Sequence, residues 1–109
     1  MEEDAPPLRA ELLLTLSSAA RRLADLVAAA ETPLRYEVLR HLLRVSEETM
    51  TEVLEEAVRA RLVRRGANAF TYVPGSAAVA EEMREALGPA RVQRLRTQIA
   101  VAMDHVFAD

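Results

Sequence analysis

The stretch from Met50 to Val73 constrains the fold most, because its pattern changes from helical to extended within a few residues. Its first part places apolar residues on one stripe of an amphipathic helix: Met50, Val53, Leu54, Ala57 and Val58. Two short runs with β-branched and aromatic residues follow, Leu62 to Arg65 and Phe70 to Val73. Between them lies Gly66 to Ala69, whose Gly and Asn tolerate a positive φ. The pattern predicts a helix with a buried stripe, followed by a β-hairpin.

A shorter helical pattern comes just before this stretch. Its inner stripe consists of Leu34, Val38, Leu39 and Leu42. Thr32-Pro33 is typical of a helix start, because Thr can cap and Pro is tolerated in the first turn. The pattern ends near Leu43 to Val45, and Ser46 can cap the next helix, with Glu47 and Glu48 in its first turn. Two helices with a short connection, followed by a hairpin, have the order of a winged helix-turn-helix.

Four further helical patterns flank this region. They cover about Leu8 to Leu16, Ser18 to Ala30, Ala77 to Leu87 and Ala90 to Phe107. Ser17 and Ser76 can cap the helices that follow them, and Gly88-Pro89 separates the last two. A chain of 109 residues holds one domain. We therefore expect residues 1–109 to form a single, mainly α domain, with residues 1–6 frayed: a winged helix-turn-helix with one β-hairpin wing and extra terminal helices.

The composition favours a soluble, cytoplasmic protein. The chain has no cysteine, so it has neither disulfides nor thiolate ligands. No apolar run approaches the roughly 20 residues that span a bilayer, and Met1 to Asp4 is acidic where a signal peptide is basic. We expect no membrane partner.

The sequence gives no sign of a catalytic, metal or cofactor site. His41 and His105 have no ligand spacing, and we expect both to be solvated residues near helix ends. The only glycines are Gly66, Gly75 and Gly88, and no phosphate-binding Gly-x-x-x-x-Gly-Lys-Ser/Thr loop exists. No nucleophile, base and orienting residue form a recognisable set. We therefore expect a chain that is not an enzyme and needs no cofactor.

The chain resembles the winged-helix segment that follows the nucleotide-binding core in signal-transduction ATPases of the STAND group. This group includes the large LuxR-type regulators and the ATPase partners of adenylate cyclase domains. The resemblance is carried in the first half by Pro7-Leu8-Arg9, Leu12 to Leu16, Ser18 to Leu23, Leu39 to Leu43 and Ser46-Glu47-Glu48. The second half contributes Leu54 to Val58, Leu62-Val63, Phe70 to Tyr72 and Ala86 to Arg91 before Leu95.

This resemblance implies a regulatory module whose partner is a neighbouring ATPase domain or another protein. Such segments often read Phe-x-His after the second wing strand, and that His can approach the nucleotide. The matching residues here are Tyr72-Val73-Pro74, so the resemblance does not extend to nucleotide sensing by an imidazole. Whether the chain is an excised piece or a stand-alone protein stays open, as does its oligomeric state.

Three functions remain open from the residues themselves. The first is a protein-interaction module that uses the acidic face of the Met50 helix, with candidate contact residues Glu48, Glu52, Glu55 and Glu56. The second is a DNA-binding transcriptional regulator, with candidate contacts Arg59, Arg61, Arg64 and Arg65. A net charge of −3 disfavours DNA. The third is a structural dimerisation domain built on the terminal helices.

Phe70 and Tyr72 are predicted to share one face of the second wing strand. There they would pin the hairpin to the helices or, in the DNA-binding alternative, stack on bases.

Overall fold

The computed structural model describes residues 15–68 and 70–107, and these form five helices and one three-stranded sheet. In chain order the elements are α1 (Ser18–Ala29), β1 (Leu34–Arg35), α2 (Tyr36–Leu43), α3 (Glu47–Arg59), β2 (Val63–Arg65), β3 (Thr71–Pro74), α4 (Ala77–Leu87) and α5 (Pro89–Phe107). The prediction of a mainly α domain with one hairpin is confirmed. The predicted frayed end at residues 1–6 lies outside the described residues, as does all but the end of the predicted helix from Leu8 to Leu16.

Serine side chains cap the N-termini of three of the helices, as the sequence predicts. Each hydroxyl oxygen accepts a hydrogen bond from a backbone N–H in the first turn of its helix. The three bonds are Ala20 N–H to Ser17 (3.1 Å), Thr49 N–H to Ser46 (3.2 Å) and Val79 N–H to Ser76 (3.1 Å). The predicted starts of α1, α3 and α4 are thereby confirmed.

The start of α2 differs from its prediction. The helix begins at Tyr36, and the residues after Thr32-Pro33 form β1 instead. β1 pairs antiparallel with β3, with Leu34 opposite Tyr72, and the strand order is β1-β3-β2. Tyr36 N–H then donates to the carbonyl of Phe70 over 2.8 Å. Long-range pairing with the hairpin therefore overrides the local helix-start signal, and a third strand joins the sheet.

Helix α1 lies at the centre of the fold and contacts each of the other four helices and β3. Its alanines let neighbours approach closely, while Leu23 and Leu26 are fully buried. Four residues of the predicted α3 stripe pack against this centre: Met50, Val53, Leu54 and Ala57. The prediction for Val58 is wrong, because this side chain is 41% exposed. At about 100° per residue, Val58 lies about 80° from Met50 and beyond the edge of the stripe.

Two arginines from the C-terminal helices donate hydrogen bonds to carbonyls at the C-terminal end of α1. Arg84 of α4 donates from Nη1 to the Ala28 carbonyl over 2.9 Å, and Arg96 of α5 donates from Nε to the Ala29 carbonyl over 2.8 Å. Helix α1 has no basic residue in its own last turn. Because the last carbonyls of a helix carry partial negative charge, these guanidinium groups supply both hydrogen bonds and charge that α1 lacks.

Candidate functional site

The exposed face of α3 is acidic over most of its length. It carries the exposed residues Glu47, Glu48, Glu52 and Glu55. Glu47 approaches the guanidinium of Arg40 at 3.7 Å, a loose pair on the surface. The other three carboxylates have no ion-pair partner among residues 15–68 and 70–107. The N-terminal half of this helix therefore presents unneutralised negative charge to any molecule that approaches it.

Glu56 differs from these carboxylates because it accepts hydrogen bonds from another part of the chain. Its Oε2 accepts the backbone N–H of Ser17 over 2.6 Å, and its Oε1 accepts the Ser17 hydroxyl over 2.9 Å. Ser17 is also the residue that caps α1. The carboxylate thus holds the N-terminus of α1 against α3. The surface left for a partner comprises the remaining candidate contacts, Glu48, Glu52 and Glu55.

The four candidate arginines lie at the opposite end of this surface. Arg59 ends α3, Arg61 follows in the turn, and Arg64 and Arg65 lie on β2. All four side chains are exposed, and none forms an ion pair within the part of the chain that the structure describes. No ion pair therefore joins these arginines to the acidic face among the described residues.

A groove of about 730 Å³ runs between α3 and the hairpin of β2 and β3. We call it the α3–hairpin groove; its walls are Glu47, Thr51 and Glu55 from α3 and Arg65 and Phe70 from the hairpin, over a floor of Leu54, Tyr36 and Tyr72. Leu54 and Tyr72 are each 8% exposed. The groove thus combines an apolar floor with a mainly acidic rim.

Phe70 and Tyr72 do not share a face. Tyr72 is buried in the core and pins the hairpin to the helices, whereas Phe70 is 71% exposed. Phe70 precedes β3 in a turn with a φ of 63°, so the alternation of a strand does not apply to it. The aromatic ring at the tip is therefore presented to solvent.

The two histidines contact each other across α2 and α5. The ring centroids of His41 and His105 are 4.7 Å apart, with planes inclined by 30°. Nearby, the guanidinium of Arg35 lies 5.0 Å from the ring centroid of Phe107. Both histidines are exposed, as predicted, but their contact depends on helix packing that sequence spacing does not reveal. In residues 15–68 and 70–107, no three His, Asp or Glu side chains come together as metal ligands would.

A second cavity, of about 840 Å³, is lined by residues of α1, α4 and α5, and Asp25 is one of them. The Asp25 side chain is only partly exposed. Burial raises the pKa of the Asp25 carboxyl, and the positive charges of Arg21 and Arg91 oppose part of this effect. The other charged residues that line this cavity are Arg21, Arg22, Arg91, Glu82 and Glu85, so that three basic and three acidic side chains, with Asp25, give it no dominant charge.

Comparison of the chain with protein-family models, with curated proteins and with solved structures finds no match. Among the described helices, none has the length and apolar character required to cross a bilayer. The described part of the chain is thus a mainly helical domain with a small antiparallel sheet, whose most distinct surface is the α3–hairpin groove with its acidic rim.

Proposed function

We propose that this domain is a winged helix-turn-helix that serves as a non-enzymatic protein-interaction and regulatory module. Support comes from the order α1-β1-α2-α3-β2-β3 and from the sheet order β1-β3-β2, which fit a winged helix in which α2 and α3 form the helix-turn-helix and α3 is its second helix. The connection from α2 to α3 is short: Arg44 ends α2 with a φ of 58°, and Ser46 caps α3.

The observation that carries the proposal is the acidic face of α3. In a DNA-reading winged helix, the corresponding helix brings its N-terminal half to bases and phosphates. Here that half would bring Glu47, Glu48 and Glu52 towards the phosphates, and the carboxylates would repel them. A protein surface with cationic side chains matches this charge better than a duplex does.

The class of partner in this proposal is indicated by the resemblance to the arm that follows the ATPase core of STAND regulators. In this proposal the domain docks on a neighbouring ATPase domain or a partner protein and transmits its nucleotide state, with roles in signal transduction and transcription regulation. The domain itself needs no cofactor and performs no chemistry.

One observation favours DNA binding as a second candidate. The four exposed arginines at the end of α3 and on β2 have no acidic partner in the described part of the chain, and unpaired arginines are suited to phosphate contacts. In this alternative, Arg64 and Arg65 of the wing would carry most of the affinity.

Fluorescence anisotropy with a random-sequence duplex at low salt tests the proposal. We expect no binding tighter than the roughly 10⁻⁴ to 10⁻⁶ M of non-specific contact. The proposal would be overturned by submicromolar binding that weakens steeply with salt and is lost in the Arg64→Ala, Arg65→Ala double variant. The matched control is Arg91→Ala, Arg94→Ala, which removes the same charge from exposed positions on α5.

A further inference from the structure

We propose that the α3–hairpin groove binds an extended basic segment of a partner protein, which places an apolar side chain against Phe70. This inference rests on the proposed function, since it names the chemistry of the partner at the same surface. It is carried by three features of the groove: an exposed aromatic ring, an acidic wall and the length of that wall.

The ring of Phe70 is held outside the core by the backbone. Its φ of 63° is a conformation that a non-glycine residue rarely adopts. The Phe70 carbonyl accepts the Tyr36 N–H over 2.8 Å, which ties the turn to the start of α2. An apolar side chain of a partner would cover this ring and remove it from water.

The wall that α3 contributes attracts positive charge. Glu47, Thr51 and Glu55 are four residues apart and therefore lie along one line of the helix. Glu55 has no ion-pair partner in the described part of the chain, and Glu47 has only the loose pair with Arg40. Arg65, on the hairpin side, is the only cation among the residues that line the groove. A segment with two basic residues would neutralise this wall.

The length of the wall sets the spacing of those two basic residues. At a rise of 1.5 Å per residue, Glu47 and Glu55 are about 12 Å apart along α3. An extended chain advances about 3.3 Å per residue and covers this distance in about four residues. The matching segment therefore carries two basic residues about four positions apart, with an apolar residue between them.

A synthetic peptide provides the probe: glycine and serine, two arginines four positions apart and one leucine between them. Titrated into ¹⁵N-labelled protein, it should shift the amide signals of Thr51, Glu55, Gly66 and Asn68, while signals of α4 stay in place. Phe70→Ser should weaken binding about tenfold, because an apolar contact is lost. Replacing the leucine of the peptide by serine should have a similar effect.

The sharpest control is a pair of variants with the same charge change at exposed positions. Glu55→Gln should weaken binding up to about fivefold, as expected for one exposed ion pair. Glu81→Gln on α4, outside the groove, should change the affinity less than twofold. Equal effects of the two variants, shifts spread over the whole surface, or no binding would each overturn the groove assignment. The proposed interaction function fails separately, through tight duplex binding in the anisotropy experiment.

Discussion

Leu54 and Val58 are both apolar residues of α3, yet only Leu54 is packed against the core. We expect Leu54→Ala to lower the free energy of unfolding by about 2 to 5 kcal/mol, through lost burial and the cavity left behind. Val58→Ala should change it by less than about 0.5 kcal/mol, since that side chain is 41% exposed. Urea denaturation of both variants checks this, and equal losses would contradict the packing of α3 described above.

Asp25 makes the stability depend on pH in a direction opposite to that of most carboxylates. Because burial raises its pKa in the folded chain, the folded state takes up this proton before the unfolded state does. The contribution of Asp25 to the free energy of unfolding therefore increases as pH falls through the raised pKa of the folded chain. The increase is complete below the pKa of Asp25 in the unfolded chain, near 3.8.

We expect Asp25→Asn to be more stable than the parent chain at pH 7, because it removes the cost of a half-buried charge. The difference should shrink as pH falls towards about 4 and the parent carboxyl becomes protonated. Urea denaturation of both chains from pH 7 to about pH 3.5 measures it. A parent chain that is the more stable one at pH 7 would mean that the charges of Arg21 and Arg91 outweigh burial.

Single side chains are predictable from sequence where helical periodicity applies, and less so elsewhere. The buried positions of α3 follow from spacing, whereas the position of Phe70 depends on a backbone turn with positive φ. The contact of His41 with His105 joins residues far apart in the chain. Glu56 is one of five glutamates of α3, and only its contact with Ser17 distinguishes it. These features depend on tertiary structure, which local patterns do not encode.

The C-terminal helices are fixed to α1 through its carbonyl end. We expect Arg96→Gln to lower the free energy of unfolding by about 1 to 2 kcal/mol, because it breaks a charged hydrogen bond to the carbonyl of Ala29, a buried residue. The surface pair of Arg96 with Glu31 adds little. Arg94→Gln is the control, an exposed arginine of the same helix. Thermal unfolding that is equally affected in both variants would refute this role for Arg96.

After β3, the backbone at Gly75 passes very close to Arg61 and Leu62, the residues that connect α3 to β2. Gly75 N–H donates to the Leu62 carbonyl over 2.9 Å, and a Cβ at Gly75 would collide with the Arg61 carbonyl. We expect Gly75→Ala to cost about 1 to 3 kcal/mol, since the backbone must shift. A Cβ at Gly66 would collide with the Thr71 hydroxyl and lie tight against the Thr71 Cβ, both side-chain atoms, so Gly66→Ala should cost less. Chemical denaturation that ranks the two variants in the reverse order would contradict this packing.

The helices and the hairpin could be predicted largely from sequence, because each helix has its own stripe and three have a serine cap. β1 could not, since a two-residue strand has no periodicity and is defined only by its pairing with β3. The groove could be predicted only in part. Its acidic wall lies on a predicted helix, but its depth depends on how the hairpin packs against α3.

The surface charge of the domain changes sign along α3, and this arrangement matters more for binding than the net charge of −3. Exposed carboxylates run along α3 from Glu47 to Glu55, and arginines occupy its C-terminal end and β2. An approaching duplex would meet both regions together. The position of the carboxylates on α3 would therefore limit DNA affinity. Substitutions that make the same charge change at different positions can separate this effect from that of the net charge.

We expect Glu48→Lys, Glu52→Lys, Glu55→Lys to create duplex binding at least about tenfold tighter than that of the parent chain at low salt. The three new cations would join the wing arginines on one surface, and each phosphate contact steepens the salt dependence by about 0.9. The control is Glu81→Lys, Glu85→Lys, Asp104→Lys, which makes the same charge change at exposed positions of α4 and α5. Anisotropy titrations at several salt concentrations compare the two. If the control bound equally well, net charge would govern DNA binding, and α3 would not occupy the position of a recognition helix.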